Sequence, residues 1–367
     1  MHLPKFSELA DEQMDVYLHP PDESLLVVGP PGSGKTSMAI WRGRVLTSPP
    51  YGLAVLLITK NRLLAAMAGT LALEESGSSL PTATMHSFVW HHYRNTFGGI
   101  VPKVSDYDYD WGLILQEYTA AGIEPQLDHI IIDEGQNLPF QFFIWATQFA
   151  ARRMSIFADE HQTTDHNSTT IQQLAALGFT QVFPLLLNHR NTAKIAELVG
   201  AFHIDRVIPQ ASPRRGLGSA PLLLRINSWD ELAELVANRY HNRRETVGVI
   251  VYEVVEVEHM LRLVRELLPG ARVDSYTNRT PRGAELMIKM REPGVTILSG
   301  QSAIGLEFDT LYLQDLSRSL PVTEASRARR LYMLCARARD NLFLIDGPIG
   351  LTPTQLADLP LPPVLER

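Results

Sequence analysis

Short apolar runs recur along the chain, and between them apolar positions fall at helical spacing. Leu25–Gly29, Ala54–Thr59, His129–Asp133, Ser155–Asp159 and Val182–Asn188 predict buried strands. Asn61–Gly69, Met85–Thr96, Trp111–Ala121 and Pro139–Ala151 predict the helices between them. A second series follows, with strands at Leu222–Ile226, Gly248–Tyr252, Val295–Ser299, Thr310–Gln314 and Leu342–Asp346. Its helices are Trp229–Arg239, Val255–Leu268 and Thr323–Arg339. Strands that alternate with helices predict an α/β architecture with parallel sheets. A chain of 367 residues exceeds one ordinary core. The stretch Ile208–Pro221, rich in Pro, Gly and Arg, reads as a linker, and we expect a first domain over 1–200 and a second over 201–367.

The run Leu25-Leu26-Val27-Val28 leads into Gly29-Pro30-Pro31-Gly32-Ser33-Gly34-Lys35-Thr36, and Ser37 to Val45 then reads as a helix. That order of strand, glycine-rich loop and helix is what a phosphate-binding loop needs. Backbone N–H groups of Gly29, Gly32, Ser33, Gly34 and the helix start can curl around phosphate oxygens, because the glycines tolerate the required turns and a helix N-terminus favours an anion. Pro30, Ser33 and Ser37 belong to the same cradle. Lys35 is expected to reach the β- and γ-phosphates of ATP, and Thr36 to hold Mg²⁺ through its hydroxyl. Further on, Ile130-Ile131-Ile132-Asp133-Glu134 is an apolar strand that ends in two acids. Asp133 is the expected Mg²⁺ ligand, and Glu134 is placed to take a proton from an attacking water.

Charge narrows the choice of partner. The net charge is −7, so a nucleic-acid site has to be a local groove and not the whole surface. The single cysteine, Cys335, cannot form an intramolecular disulfide and suits a reducing cytoplasm. The first eighteen residues carry acids and no long apolar run, so no signal peptide is expected, and no run reaches membrane-spanning length. His86, His91 and His92 have no cysteine partner at zinc-like spacing, so structural zinc is not expected.

The further segments, in order, resemble the UvrD/Rep-type superfamily 1 helicases. Leu9-Ala10-Asp11-Glu12-Gln13 resembles the adenine-reading motif, with Gln13 in that role. Thr84-Met85-His86-Ser87-Phe88 resembles motif Ib, and Asp133-Glu134-Gly135-Gln136-Asn137 resembles motif II. Ala158-Asp159-Glu160-His161-Gln162 resembles motif III, which implies a γ-phosphate sensor at Gln162. Leu187-Asn188-His189-Arg190 resembles motif IV, which implies a phosphate contact by Arg190. The run Ser299 to Phe308, with Gln301, Gly305 and Glu307, resembles motif V. Leu331 to Arg339 resembles motif VI, which implies an arginine finger at Arg337. The resemblance implies two tandem RecA-like domains of the P-loop NTPase class that hydrolyse ATP with Mg²⁺ in the cleft between them. It also implies action on single-stranded DNA, with RNA not excluded, and a protein partner such as a nuclease.

The sequence departs from that family in two ways. The intervals Phe88 to Asp133 and Arg190 to Val295 leave room for a small 1B-like insertion and for no evident 2B-like one. Aromatic residues that hold bases in the family are replaced by Ile58-Thr59-Lys60-Asn61 and by Thr163 to Asn167, and His189, Gln301 and Ile304 replace other family residues. The candidates left for nucleic acid are Lys60, Asn61, His86, Ser87, Trp90 and Gln301. The thinned strand side supports an alternative, a nucleotide-gated regulatory ATPase subunit that switches a partner complex and does not translocate.

Overall fold

A computed structural model describes all residues except 1, 2, 77–79, 107, 160–167, 180, 204–211, 214, 314 and 315, and leaves the side chains of 74–76 undescribed. By contacts the chain divides into an N-terminal unit, residues 2–29 and 35–185, and a C-terminal unit, residues 186–367 together with 30–34.

The N-terminal unit holds a six-stranded parallel sheet. Its strands are β1 (Leu25–Val28), β2 (Val55–Thr59), β3 (Thr82–Thr84), β4 (Leu127–Asp133), β5 (Ala151–Ala158) and β6 (Val182–Pro184), in the order β3-β2-β4-β5-β1-β6. From His129 to Asp133 every residue of β4 is buried, so both faces of this strand are covered, as parallel sheets require. Helices α1 (Asp11–Leu18), α2 (Lys35–Thr47), α3 (Arg62–Ser76), α4 (Met85–Phe97), α5 (Trp111–Ala121), α6 (Phe140–Trp145) and α7 (Ile171–Ala175) complete the unit. Their starts are fixed locally. Thr84 Oγ1 accepts the Ser87 N–H, Asp110 Oδ1 accepts the Leu113 N–H, and α4 ends at Gly98 in the left-handed region.

The C-terminal unit repeats the plan. Two short strands, β7 (Leu187–Asn188) and β8 (Ser212–Pro213), pair with each other. Then β9 (Leu222–Arg225), β10 (Thr246–Val251), β11 (Val273–Tyr276), β12 (Gly294–Ser299), β13 (Phe308–Leu313) and β14 (Ala338–Asp346) form a parallel sheet in the order β11-β12-β10-β13-β14-β9. Its helices are α8 (Ala193–Ala201), α9 (Trp229–Arg243), α10 (Val254–Leu267), α11 (Ala325–Cys335) and α12 (Pro353–Ala357). Val247, Val249, Val251, Val295 and Ile297 pack with Leu232, Val236, Met260 and Val264 in one core. The fold is α/β with two six-stranded parallel sheets. Among the described residues no helix is long and apolar enough to cross a membrane.

Four expectations change in detail. The edge strands β3 and β11 carry no apolar run, since an edge strand is only half covered, and the pattern does not mark them. The strand expected over Val182–Asn188 breaks after Pro184, and its last two residues pair with β8, inside the stretch read as a linker. The helix expected over Pro139–Ala151 ends as α at Trp145, continues as a π turn over Ala146–Ala150, and yields to β5 at Ala151. The helix expected over Thr323–Arg339 stops at Cys335. Ala338 opens β14 opposite Phe308, so sheet pairing overrides the helical propensity of the Ala-Arg run.

Candidate functional site

In the N-terminal unit β4, β5 and β1 are neighbours, so their carboxyl ends lie side by side at one sheet edge. Ligands of open α/β sheets bind beyond that edge. The loop after β1 starts from a fixed point, where the Gly29 N–H donates to the Ala158 carbonyl at 3.2 Å. Gly32 and Gly34 take φ of 82° and 90°, and the Ser33 hydroxyl donates to the Pro30 carbonyl at 2.9 Å. Lys35 is the first residue of α2. Its ammonium donates to the Gly29 carbonyl at 2.6 Å and lies 3.7 Å from the Asp159 carboxylate at the end of β5. Thr36 is buried and Ser37 half-buried beside it.

Asp133 ends β4, almost wholly buried, and among the described residues neither of its carboxylate oxygens has a hydrogen-bond partner. Burial first, and then the Glu134 carboxylate, push its pKa above the ordinary carboxylate range. The Thr36 hydroxyl and the Lys35 ammonium oppose that rise without completing a hydrogen bond. An unsatisfied buried carboxylate is costly, and a cation bound there removes the cost. Among the described residues no three His, Cys, Asp or Glu side chains gather around a common point. Asp133, with Thr36 beside it, could hold a divalent cation.

Glu134 has φ of 57°, a left-handed conformation that non-glycine residues seldom adopt. Gln136 holds it there. Its Nε2 donates to Glu134 Oε2 at 2.6 Å, and its Oε1 accepts the Asp159 N–H at 3.0 Å. Gln13 is buried near the start of α1, where Oε1 accepts the Ala10 N–H at 3.2 Å. Gln162 lies outside the described residues.

In the C-terminal unit Arg190 follows β7, and its Nε donates to the Glu307 carboxylate at 2.7 Å. Gly305, two residues before Glu307, has φ of 80°. Arg337 sits between α11 and β14 with a fully buried side chain, and its Nε donates to the Met333 carbonyl at 3.0 Å. The structure thus brings Arg190, Glu307 and the Arg337 backbone into one unit. The sequence carried no signal for Asn191, which joins them, because a single Asn in a loop matches no pattern.

Among the nucleic-acid candidates, Lys60 and Asn61 follow β2, His86, Ser87 and Trp90 lie on α4 after the neighbouring β3, and Gln301 belongs to the C-terminal unit. The Lys60 ammonium donates to the Asn137 carbonyl at 3.3 Å, and Asn61 caps α3 by accepting the Leu64 N–H at 2.8 Å. On α4, His86 is exposed, while Ser87 and Trp90 are half-buried. Gln301 is exposed after β12. Phe88 packs against the Trp145 and His92 rings. Cys335 is fully buried, and burial pushes its thiol pKa up to about 12, so it is an inert core residue.

No protein-family model matches the chain, and no curated protein matches it. A solved structure that matches is the C-terminal domain of a possible DNA helicase from Lactobacillus plantarum WCFS1. It is 18% identical, with a TM-score of 0.35, and the match covers 48% of this chain and 96% of that one.

Proposed function

We propose that the chain is an ATP hydrolase of the superfamily 1 helicase type that moves on or remodels single-stranded nucleic acid. The observation that carries this reading is the buried, unpartnered Asp133 carboxylate beside Lys35 and Thr36. Lys35 and the loop N–H groups bind phosphate, and Thr36 and Asp133 hold the metal. When bound, Mg²⁺ neutralises phosphate charge. Glu134 accepts the proton of the attacking water, and Gln136 keeps its carboxylate in place. Gln13 reads the adenine, and Gln162 senses the terminal phosphate. Arg190 and Arg337, contributed by the second RecA-like domain, offset charge on the phosphoryl group in transfer, an effect worth about 10³–10⁵ in rate. Their loss of contact after hydrolysis is the motor step. Single-stranded DNA, or RNA, lies against residues drawn from His86, Ser87, Trp90 and Gln301, and a protein partner such as a nuclease completes the activity.

One observation favours the rival reading of a nucleotide-gated regulatory subunit. Lys60 and Asn61 are tied to backbone groups of their own unit and not held out for a strand. Steady-state ATP hydrolysis with and without single-stranded DNA, at low and moderate salt, separates the two. Salt-sensitive stimulation supports the motor. Turnover indifferent to DNA and RNA supports the switch. Lys35→Ala and Glu134→Gln serve as blanks, and normal turnover in Glu134→Gln removes that residue from the base role.

A further inference from the structure

Asn191 is fully buried and uses its whole carboxamide. Its Nδ2 donates to the carbonyls of Ala336, at 3.2 Å, and Ala338, at 2.5 Å, which stand on either side of Arg337. Its Oδ1 accepts from Asn188 Nδ2 at 2.8 Å. Asn188 Oδ1 in turn accepts the N–H groups of Arg190 and Asn191, each at 3.0 Å. One side chain, one position after the first arginine, therefore grips the backbone on both sides of the second. Other bonds run parallel to it. The Thr192 N–H donates to the Arg339 carbonyl at 3.1 Å. The Arg215 guanidinium donates to the Arg190 carbonyl at 2.9 Å and pairs with Asp340 at 2.7 Å.

We infer that Asn191 is a positioning residue that holds Arg190 and Arg337 at a fixed spacing, so that both act on the same phosphoryl group. The inference rests on the function proposed above. Its chemistry is specific. Two N–H donors and one acceptor are needed on a side chain of this length. Asp, of equal size, would set carboxylate oxygens against two carbonyls. Ser can satisfy one carbonyl at most.

The test uses the full chain with Asn191→Ser, and Asn191→Asp beside it, each checked by thermal melting. A misplacement of about an ångström at a reacting group costs roughly 100-fold in rate, so kcat is expected to fall roughly 10- to 100-fold. The Kd of ADP, which lacks the phosphate the arginines address, should stay within about twofold. The diagnostic reading is the pair of double variants Asn191→Ser with Arg337→Ala, and Asn191→Ser with Arg190→Ala. If Asn191 acts through the arginines, each double variant loses less than the product of the two single losses. Losses that multiply, or an ADP affinity that falls in step with kcat, overturn the positioning role. So does an Asn191→Ser chain that melts like wild type and turns over like it. Should Asn191→Asp fail to fold, Asn191→Ser still decides. A wild-type chain without turnover overturns the proposed function and this inference together, whereas wild-type turnover with multiplicative losses overturns this inference alone.

Discussion

The Arg190 guanidinium and the Glu307 carboxylate, 117 positions apart, meet at 2.7 Å with side chains only 12% and 11% exposed. Water cannot screen either charge well, and the Arg339 charge acts on Glu307 beside that of Arg190. Removing one partner of such a pair typically costs about 3–5 kcal/mol, whereas replacing both with apolar groups is close to neutral. Glu307→Ala is therefore expected to lose about 3 kcal/mol in urea denaturation. Arg190→Met with Glu307→Leu should recover most of that loss. A Glu307→Ala loss below about 1 kcal/mol would show that solvent reaches the pair.

His129 lies wholly inside the N-terminal sheet, with Nε2 2.7 Å from the Ser155 hydroxyl. Burial, with the nearby Arg42 and Arg153 charges, lowers its pKa from 6.5 to about 3. The folded ring stays neutral where the unfolded ring takes a proton. Stability is thus lost as pH falls from about 6.5 towards about 3, at about 1.4 kcal/mol per pH unit from this group. Melting temperatures taken from pH 7 to pH 4.5 should fall less steeply for His129→Val with Ser155→Ala than for wild type. Equal slopes would place the acid sensitivity elsewhere.

The legibility of this fold in the sequence follows burial. Strands β1, β4, β10 and β12 are buried along nearly their whole length, so their apolar runs stand out. The edge strands β3 and β11 are half covered and polar, and their sequences read as loop. On the proposed function, Gly32, Lys35, Thr36 and Asp133 answer to phosphate and cation chemistry, which leaves a fixed spacing to read. Asn191 and Arg215 work through carbonyl groups, and any residue supplies a carbonyl. Nothing at Ala336, Ala338 or Arg339 marks it as a partner before the chain has folded. The same reasoning explains Arg42, whose buried guanidinium donates to the carbonyls of His19, Pro20 and Glu23.

Gly32 and Gly98 both have positive φ, 82° and 72°, but different surroundings. A Cβ on Gly98 meets nothing within 4 Å, while one on Gly32 would stand 2.3 Å from Asn188 Oδ1. Asn188 cannot retreat, because the same oxygen already accepts two N–H groups. Gly98→Ala should cost about 1 kcal/mol, the backbone penalty alone. Gly32→Ala should cost more and, on the proposed function, also weaken nucleotide binding, because the loop has to open. Equal melting losses for the two variants, with nucleotide affinity intact, would show that the loop absorbs the methyl group.

On α4 the Arg94 guanidinium lies 5.0 Å over the Trp90 ring, and the His91 ring meets it edge-on at 4.7 Å. This cluster can serve a strand or only itself, and the two uses differ in salt response. A guanidinium that contacts a phosphate contributes about 0.7 to the slope of log K against log salt on a single strand. A base stacked on an aromatic ring contributes about 1–3 kcal/mol by truncation, and here the lower figure applies, since the base has to displace Arg94 or use the opposite face. If it serves a strand, Arg94→Gln is expected to flatten the salt slope by about 0.7, and Trp90→Ala to cost about 1 kcal/mol in single-stranded DNA binding with an unchanged slope. Fluorescence titration of a labelled oligonucleotide at several salt concentrations reads both quantities. If both variants bind like wild type, the cation–π pair stabilises only its own helix, and on the proposed function the strand contacts fall to His86, Ser87 and Gln301.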